Sequence, residues 1–149
     1  MFNVVLVTPD IPHNTGAIGR LCLATESSLH LVKPLGFELT EKAVRRAGLD
    51  YWKNVDLKVW DSIDDLLDEI SDKNFHLLTT KTEKTYWQTH FKEGDFLIFG
   101  SETKGLPESL IDRFQEHALT IPMDKTNVRS LNLATAAGII IYEGVRQLS

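Results

Sequence analysis

The sequence predicts an α/β protein with a mostly parallel sheet flanked by helices, in one domain over residues 1–149. Three observations carry this expectation. Strand-like and helix-like segments alternate along the chain without a linker, repeat or low-complexity stretch. The strands are unbroken apolar runs such as Phe96-Leu97-Ile98-Phe99, which suit a sheet covered on both faces. Glycines and prolines gather just after those runs, where parallel sheets bind ligands. A length of 149 residues fits one core and leaves little for a second.

Taken in order, Asn3–Val7 is a buried strand, and the loop Thr8–Gly16 holds Pro9, Pro12 and Gly16. A helix is expected from about Thr15 to Glu26, with Ile18, Leu21, Cys22 and Thr25 on its apolar side and Arg20 off that stripe in the first turns. Leu29–Val32 is the second strand. Thr40–Gly48 has a threonine cap and a glycine stop and carries Arg45 and Arg46. Beside Tyr51 and Trp52 those arginines suit a phosphate-and-base surface, and equally a charged helix with its aromatics turned inward. Leu57–Trp60 is a strand, and Ser62 caps a helix through about Ile70, with Asp65 at the capping-box distance.

Phe75–Thr79 follows as a strand, then a polar connection with a short helix around Tyr86 and Trp87. The strand Phe96–Phe99 runs into Gly100-Ser101-Glu102-Thr103-Lys104-Gly105-Leu106-Pro107. Its glycines allow close backbone approach, and Pro107 pre-sets the next helix, expected across Leu110–Phe114. This loop lacks the phosphate-loop, dinucleotide and nucleophile-elbow spacings, so Ser101 is not a hydrolase serine. It reads either as the floor of a ligand site or as an ordinary strand-to-helix connection. A strand is expected over Ala118–Ile121, and the last helix, Thr135–Leu148 with an apolar lead from Leu131, is apolar nearly all round. Such a helix predicts burial against more than one partner and therefore a homodimer.

The formal charge of −5 argues against generic nucleic-acid affinity but permits a local basic face, since Arg20, Lys42, Arg45, Arg46, Lys104 and Arg129 adjoin the punctuated loops. Acidic residues concentrate in 61–72. The single cysteine, Cys22, reads as a buried core thiol, and the five histidines lack metal-ligand spacing, so no metal is expected. No apolar run approaches the ~18 residues of a membrane span and no signal segment is evident, so the expected location is the cytoplasm.

Three loops at strand ends carry a closer pattern. Asn14-Thr15-Gly16-Ala17-Ile18-Gly19-Arg20, Gly100-Ser101-Glu102-Thr103-Lys104-Gly105-Leu106, and Ile121-Pro122-Met123 with Ser130-Leu131-Asn132-Leu133 resemble, in order, the three signature motifs of the SPOUT RNA methyltransferases. The stretch Arg45-Arg46-Ala47-Gly48-Leu49-Asp50-Tyr51 is similar to the small single-domain branch that 2′-O-methylates the wobble cytidine or modified uridine of certain leucine tRNAs. The resemblance runs from end to end.

It implies a deep trefoil knot at the carboxyl end, S-adenosyl-L-methionine as cofactor, and a homodimer built on the knot. It places Leu78, Thr79, Gly100, Glu102, Ile121, Ser130 and Leu131 around the cofactor. Arg20 is the implied catalytic group, with Arg129 the next candidate and Asn14 ordering the loop; Ser130 and Asn132 would cap the last helix. Arg45, Arg46, Asn132 and Tyr142 are expected on the side of the tRNA anticodon stem-loop. A guanidinium binds phosphate and stabilises a developing oxyanion but is a poor base, so a phosphate oxygen or water would take the proton. The rival readings are methylation of another tRNA or rRNA site, a non-catalytic RNA-binding relative, and a nucleotide-binding oxidoreductase, the last lacking its fingerprint.

Overall fold

The computed structural model describes residues 1–40, 42 and 49–149. Six strands, β1 (Asn3–Val7), β2 (Ser28–Val32), β3 (Leu57–Trp60), β4 (Phe75–Leu78), β5 (Phe96–Phe99) and β6 (Ala118–Leu119), form one sheet in the order β3-β2-β1-β5-β4-β6. Every pairing in it is parallel, as the apolar runs predict. Because β1, β5, β4 and β6 are consecutive in space, the loops leaving their carboxyl ends meet along one half of one sheet edge. The three motif-bearing loops lie there.

Alternate side chains divide the strands between two cores. Val4, Leu6, Leu97 and Phe99 join α1 (Pro12–Ala24) and α4 (Leu133–Leu148) on one face, through Ile18, Cys22, Ala137, Ile140 and Ile141. Val5, Val7, Phe96 and Ile98 join α2 (Ile63–Glu69) and α3 (Glu108–Arg113) on the other, through Leu66, Leu67, Leu110 and Ile111. Each fully buried aliphatic side chain contributes roughly 1.5–3 kcal/mol. Burial pushes the Cys22 thiol up to about 12, which matches a core thiol.

Several boundaries differ from expectation. Helix α1 begins at Pro12, three residues before Thr15, so His13 and Asn14 are helical rather than loop. Proline at N1 needs no amide hydrogen bond, and a distant carboxylate, described below, accepts the amides just ahead of it. The strand expected to reach Ile121 ends at Leu119, because the Thr120 backbone turns to pair with residues 84–86. Ser62 caps α2 as expected, its hydroxyl accepting the Asp65 N–H at 3.1 Å. In α4, which reads as apolar nearly all round, much of the apolar surface is turned into the protomer's own core. Ile140 and Ile141 are both wholly buried in the protomer, while Tyr142 is 48 % exposed, and among the described residues a Cβ added at Gly138 would meet only the Leu21 side chain. Of the helix expected over 40–48, residues 41 and 43–48, Arg45 and Arg46 among them, lie outside the described residues.

Candidate active site

Above the carboxyl ends of β4, β5 and β6 lies a cavity of about 640 Å³. Leu78, Phe99, Leu106, Leu119 and Ile121 supply apolar walls, and the loops 100–105 and 129–132 supply exposed polar backbone and side chains. That combination, flat apolar surface edged by a few hydrogen-bonding groups, suits a nucleoside.

The loop after β5 is shaped by two glycines for different reasons. A Cβ on Gly100 would come within 2.1 Å of the Gly105 carbonyl carbon and 2.2 Å of the Leu106 nitrogen, because the loop folds back over it. Gly105 itself has φ +69°, a conformation that glycine adopts without Cβ strain. The Gly105 amide donates to the Ser101 carbonyl at 2.9 Å and the Lys104 amide to the Ser101 hydroxyl at 3.1 Å, closing a compact hairpin. Ser101 therefore serves the loop.

Glu102 projects from that hairpin to the start of α1. Its Oε1 accepts the Asp10 amide at 2.8 Å, and its Oε2 accepts the Ile11 amide at 2.9 Å and Asn14 Nδ2 at 3.2 Å. A carboxylate at a helix N-terminus also meets the positive end of the helix dipole. Asn14, 5 % exposed, turns its Oδ1 to accept Asn132 Nδ2 at 3.2 Å. Asn132 in turn caps α4, its Oδ1 accepting the Thr135 amide at 3.1 Å. One polar chain thus joins the three motif loops. Asp10, at the same junction, accepts the Thr103 hydroxyl at 2.6 Å.

Of the sequence-predicted residues, Leu78, Thr79, Gly100, Glu102, Ile121, Ser130, Leu131, Asn14, Arg129 and Asn132 all line this cavity. Within that set the capping role falls to Asn132 alone: Ser130 stands two residues ahead of the cap, in the exposed loop. The Glu102 and Asn14 polar atoms are committed to protein partners, which makes them positioning groups. Arg20 and Tyr142 do not line the cavity. Arg20 is exposed on α1, roughly 12 Å along the axis from Pro12 at 1.5 Å per residue, with its guanidinium 5.5 Å from the Tyr51 ring centre. Because α1 starts earlier than expected, Arg20 sits past its midpoint and not in its first turns. The cavity also includes residues the sequence did not single out for it, among them Ile11, Lys81, Lys104 and Thr120. Lys104 stands out in the sequence only as part of a basic face, and Thr120 is hidden in what reads as a plain strand.

At the carboxyl edge of a parallel sheet, three loops linked by one hydrogen-bonded chain through Asn14 thus enclose a ligand cavity. The chain belongs to the SpoU rRNA methylase family, whose model matches residues 1–142. It is 45 % identical over 148 residues to the tRNA (cytidine(34)-2′-O)-methyltransferase of Methylovorus glucosotrophus, covering 99 % of this chain and 96 % of that protein. It is 44 % identical over 152 residues to the enzyme of the same name from Saccharophagus degradans, covering 99 % and 96 %. Among solved structures, one described as giving insight into 2′-OH methylation of C/U34 on tRNA superposes with a TM-score of 0.93 at 43 % identity, over 99 % of this chain and 96 % of that one. A SpoU methyltransferase from Streptomyces viridochromogenes, solved with AdoMet, shares the fold with a TM-score of 0.83 at 23 % identity, over 98 % and 57 %.

Proposed function

We propose that this protein transfers a methyl group from S-adenosyl-L-methionine to the ribose 2′-oxygen of the wobble nucleotide, position 34, in the anticodon loop of tRNA. The observation that carries the reading is the near-complete match to tRNA (cytidine(34)-2′-O)-methyltransferases at 44–45 % identity, together with a cavity formed by the matching loops. The finer substrate is the cytidine or modified uridine of leucine tRNAs, on the resemblance of Arg45 to Tyr51. The reading also takes residues 1–149 as a single domain, its carboxyl-terminal part threaded as a trefoil knot, working in the cytoplasm. Among the described residues no helix is long and apolar enough to cross a membrane, and no cluster of potential metal ligands occurs.

The residues present fit the cofactor. Leu78, Leu119 and Ile121 offer apolar walls for an adenosine, and the 100–105 and 129–132 loops offer backbone polar groups at its edge. When bound, S-adenosyl-L-methionine supplies an electrophilic methyl on a sulfonium. The protein then holds the 2′-oxygen in line, which converts a two-body encounter into a positioned one. Glu102, Asn14 and Asn132 keep the loops in register for that task. Arg20 grips the flanking phosphate and stabilises charge developing on the oxygen, whose proton passes to a phosphate oxygen or water.

Arg20 stands outside the cavity wall of its own chain, and that supports a homodimer in which Arg20 of one protomer completes the cavity of its partner. The exposed Tyr142 and the uncrowded Gly138 on α4 give such a partner a place to pack, next to the α1 side chain of Leu21. Two copies also pool Arg20, Arg45, Arg46 and Arg129 into a broader basic face on an acidic protein. Incubating purified protein with S-adenosyl-L-methionine and unmodified leucine tRNA, then mapping ribose methylation by mass spectrometry, tests the reading. Methyl at position 34 alone is expected, and methyl at another position, or none, would overturn it.

A further inference from the structure

We infer that the Thr120 hydroxyl is a recognition group for the nucleoside part of the cofactor, an inference that rests on the cofactor reading above. Three buried side-chain hydroxyls, those of Thr15, Thr89 and Thr120, lack a hydrogen-bond partner among the described residues. Leaving such a group unpaired in a folded protein is costly, so each calls for an explanation. Only Thr120 of the three is a cavity-lining residue, 6 % exposed, with its hydroxyl oxygen itself closed to solvent.

Its backbone leaves it little freedom. The Thr120 amide donates to the Lys84 carbonyl at 2.8 Å, and its carbonyl accepts the Tyr86 amide at 3.1 Å, in a parallel bridge between Thr85 and Thr120. Both main-chain groups are consumed, so the hydroxyl is the polar atom Thr120 has left to offer. It is held in advance on a short, paired segment between Leu119 and Ile121, both of which line the cavity. A pre-positioned group loses little freedom when a ligand arrives.

The chemistry points to a nucleoside. A hydroxyl both donates and accepts, which suits a ring nitrogen, an exocyclic amine or a ribose hydroxyl, and its cavity neighbours Leu78, Leu106 and Leu119 are apolar. A sulfonium carries no proton to donate and no acceptor for that hydroxyl. Thr120 is thus a specificity residue that trades stability of the free protein for affinity, since its hydrogen bond forms only with ligand present.

The test titrates S-adenosyl-L-methionine and S-adenosyl-L-homocysteine calorimetrically into the full chain and into Thr120→Val and Thr120→Ser, and follows melting of each without ligand. Valine keeps the shape and removes the hydroxyl; serine keeps the hydroxyl. The expected result is that Thr120→Val binds both ligands about three- to tenfold more weakly, the usual span for one hydrogen bond. Its unliganded melting temperature stays level or rises, and Thr120→Ser stays within about twofold in affinity. Unchanged affinity of Thr120→Val would overturn the inference, as would a fall in its unliganded melting temperature, which would mark the hydroxyl as structural. A loss confined to S-adenosyl-L-methionine would move the contact to the sulfonium and overturn the nucleoside assignment. Failure of the unaltered protein to bind either ligand would instead remove the cofactor reading itself.

Discussion

Asn132 Nδ2 donates to Asn14 Oδ1 at 3.2 Å, a bond between residues 118 positions apart that ties the start of α4 to the first turn of α1. With Glu102 gripping the other end of Asn14, the three loops around the cavity behave as one polar unit. Perturbing one of them is expected to be felt in the other two.

Glu102→Ala leaves the Asp10 and Ile11 amides without their acceptor and removes a charge from the α1 N-terminus. We expect a loss of about 1–3 kcal/mol of stability in urea unfolding, with weaker cofactor binding as the loops lose register. Glu102→Gln, which keeps one acceptor oxygen, is expected to fall between. Unchanged stability of Glu102→Ala would show that the unit is not tied through this side chain.

Gly100→Val drives a side chain into the backbone of its own loop, only 2.1 Å from the Gly105 carbonyl carbon at Cβ. Affinity for S-adenosyl-L-methionine is expected to fall more than tenfold, about 1.4 kcal/mol or more. Calorimetric binding within about twofold of the unaltered protein would place the ligand elsewhere.

Arg20→Ala is expected to abolish methyl transfer while leaving cofactor affinity near normal, and Arg20→Lys to fail as well because it loses the planar fork. If sites are shared between protomers, mixing Arg20→Ala with the cavity-filling Ile121→Trp restores activity to about a quarter of normal, since half the random dimers carry one intact site. No restoration in a mixture that exchanges subunits would assign Arg20 to the cavity of its own chain.

Gly138→Arg places a charge on the uncrowded side of α4, where among the described residues an added Cβ would meet only Leu21 Cδ1, at 3.8 Å. We expect folded monomers without methyltransferase activity, read by light scattering and near-ultraviolet circular dichroism. Ile141 is unsuitable for this purpose, being wholly buried in the protomer's own core. Dimers of unaltered mass and activity would rule out this face.

Burial, then the nearby Lys58, lowers the His30 pKa to about 4, against a smaller opposing effect of Asp56. The folded value lies below the unfolded one, so the contribution is complete above about pH 6.5 and is lost as pH falls through about 4. His30 accepts the Trp60 indole N–H at Nδ1 and faces Asn3 Oδ1 through Nε2, both at 3.0 Å, which holds it neutral. Over that window His30→Gln is expected to show a shallower loss of stability, by up to about 3 kcal/mol. Parallel pH profiles for the two proteins would exclude this role.

What the sequence by itself determined was local: the apolar runs of the strands, the glycine loop after Phe99, the Ser62 cap, the buried thiol of Cys22 and the three motif loops. Each depends on neighbours a few positions away, which periodicity and turn chemistry record. Only the tertiary structure decided where α1 begins, because the carboxylate accepting the amides ahead of Pro12 comes from Glu102, about ninety residues on. It likewise decided that Ile140 faces the protomer's core while Tyr142 does not, that Arg20 stands away from the cavity, and that Thr120 belongs to it. Those outcomes depend on which elements lie side by side once β1, β5, β4 and β6 align, a through-space relationship that no window along the chain contains.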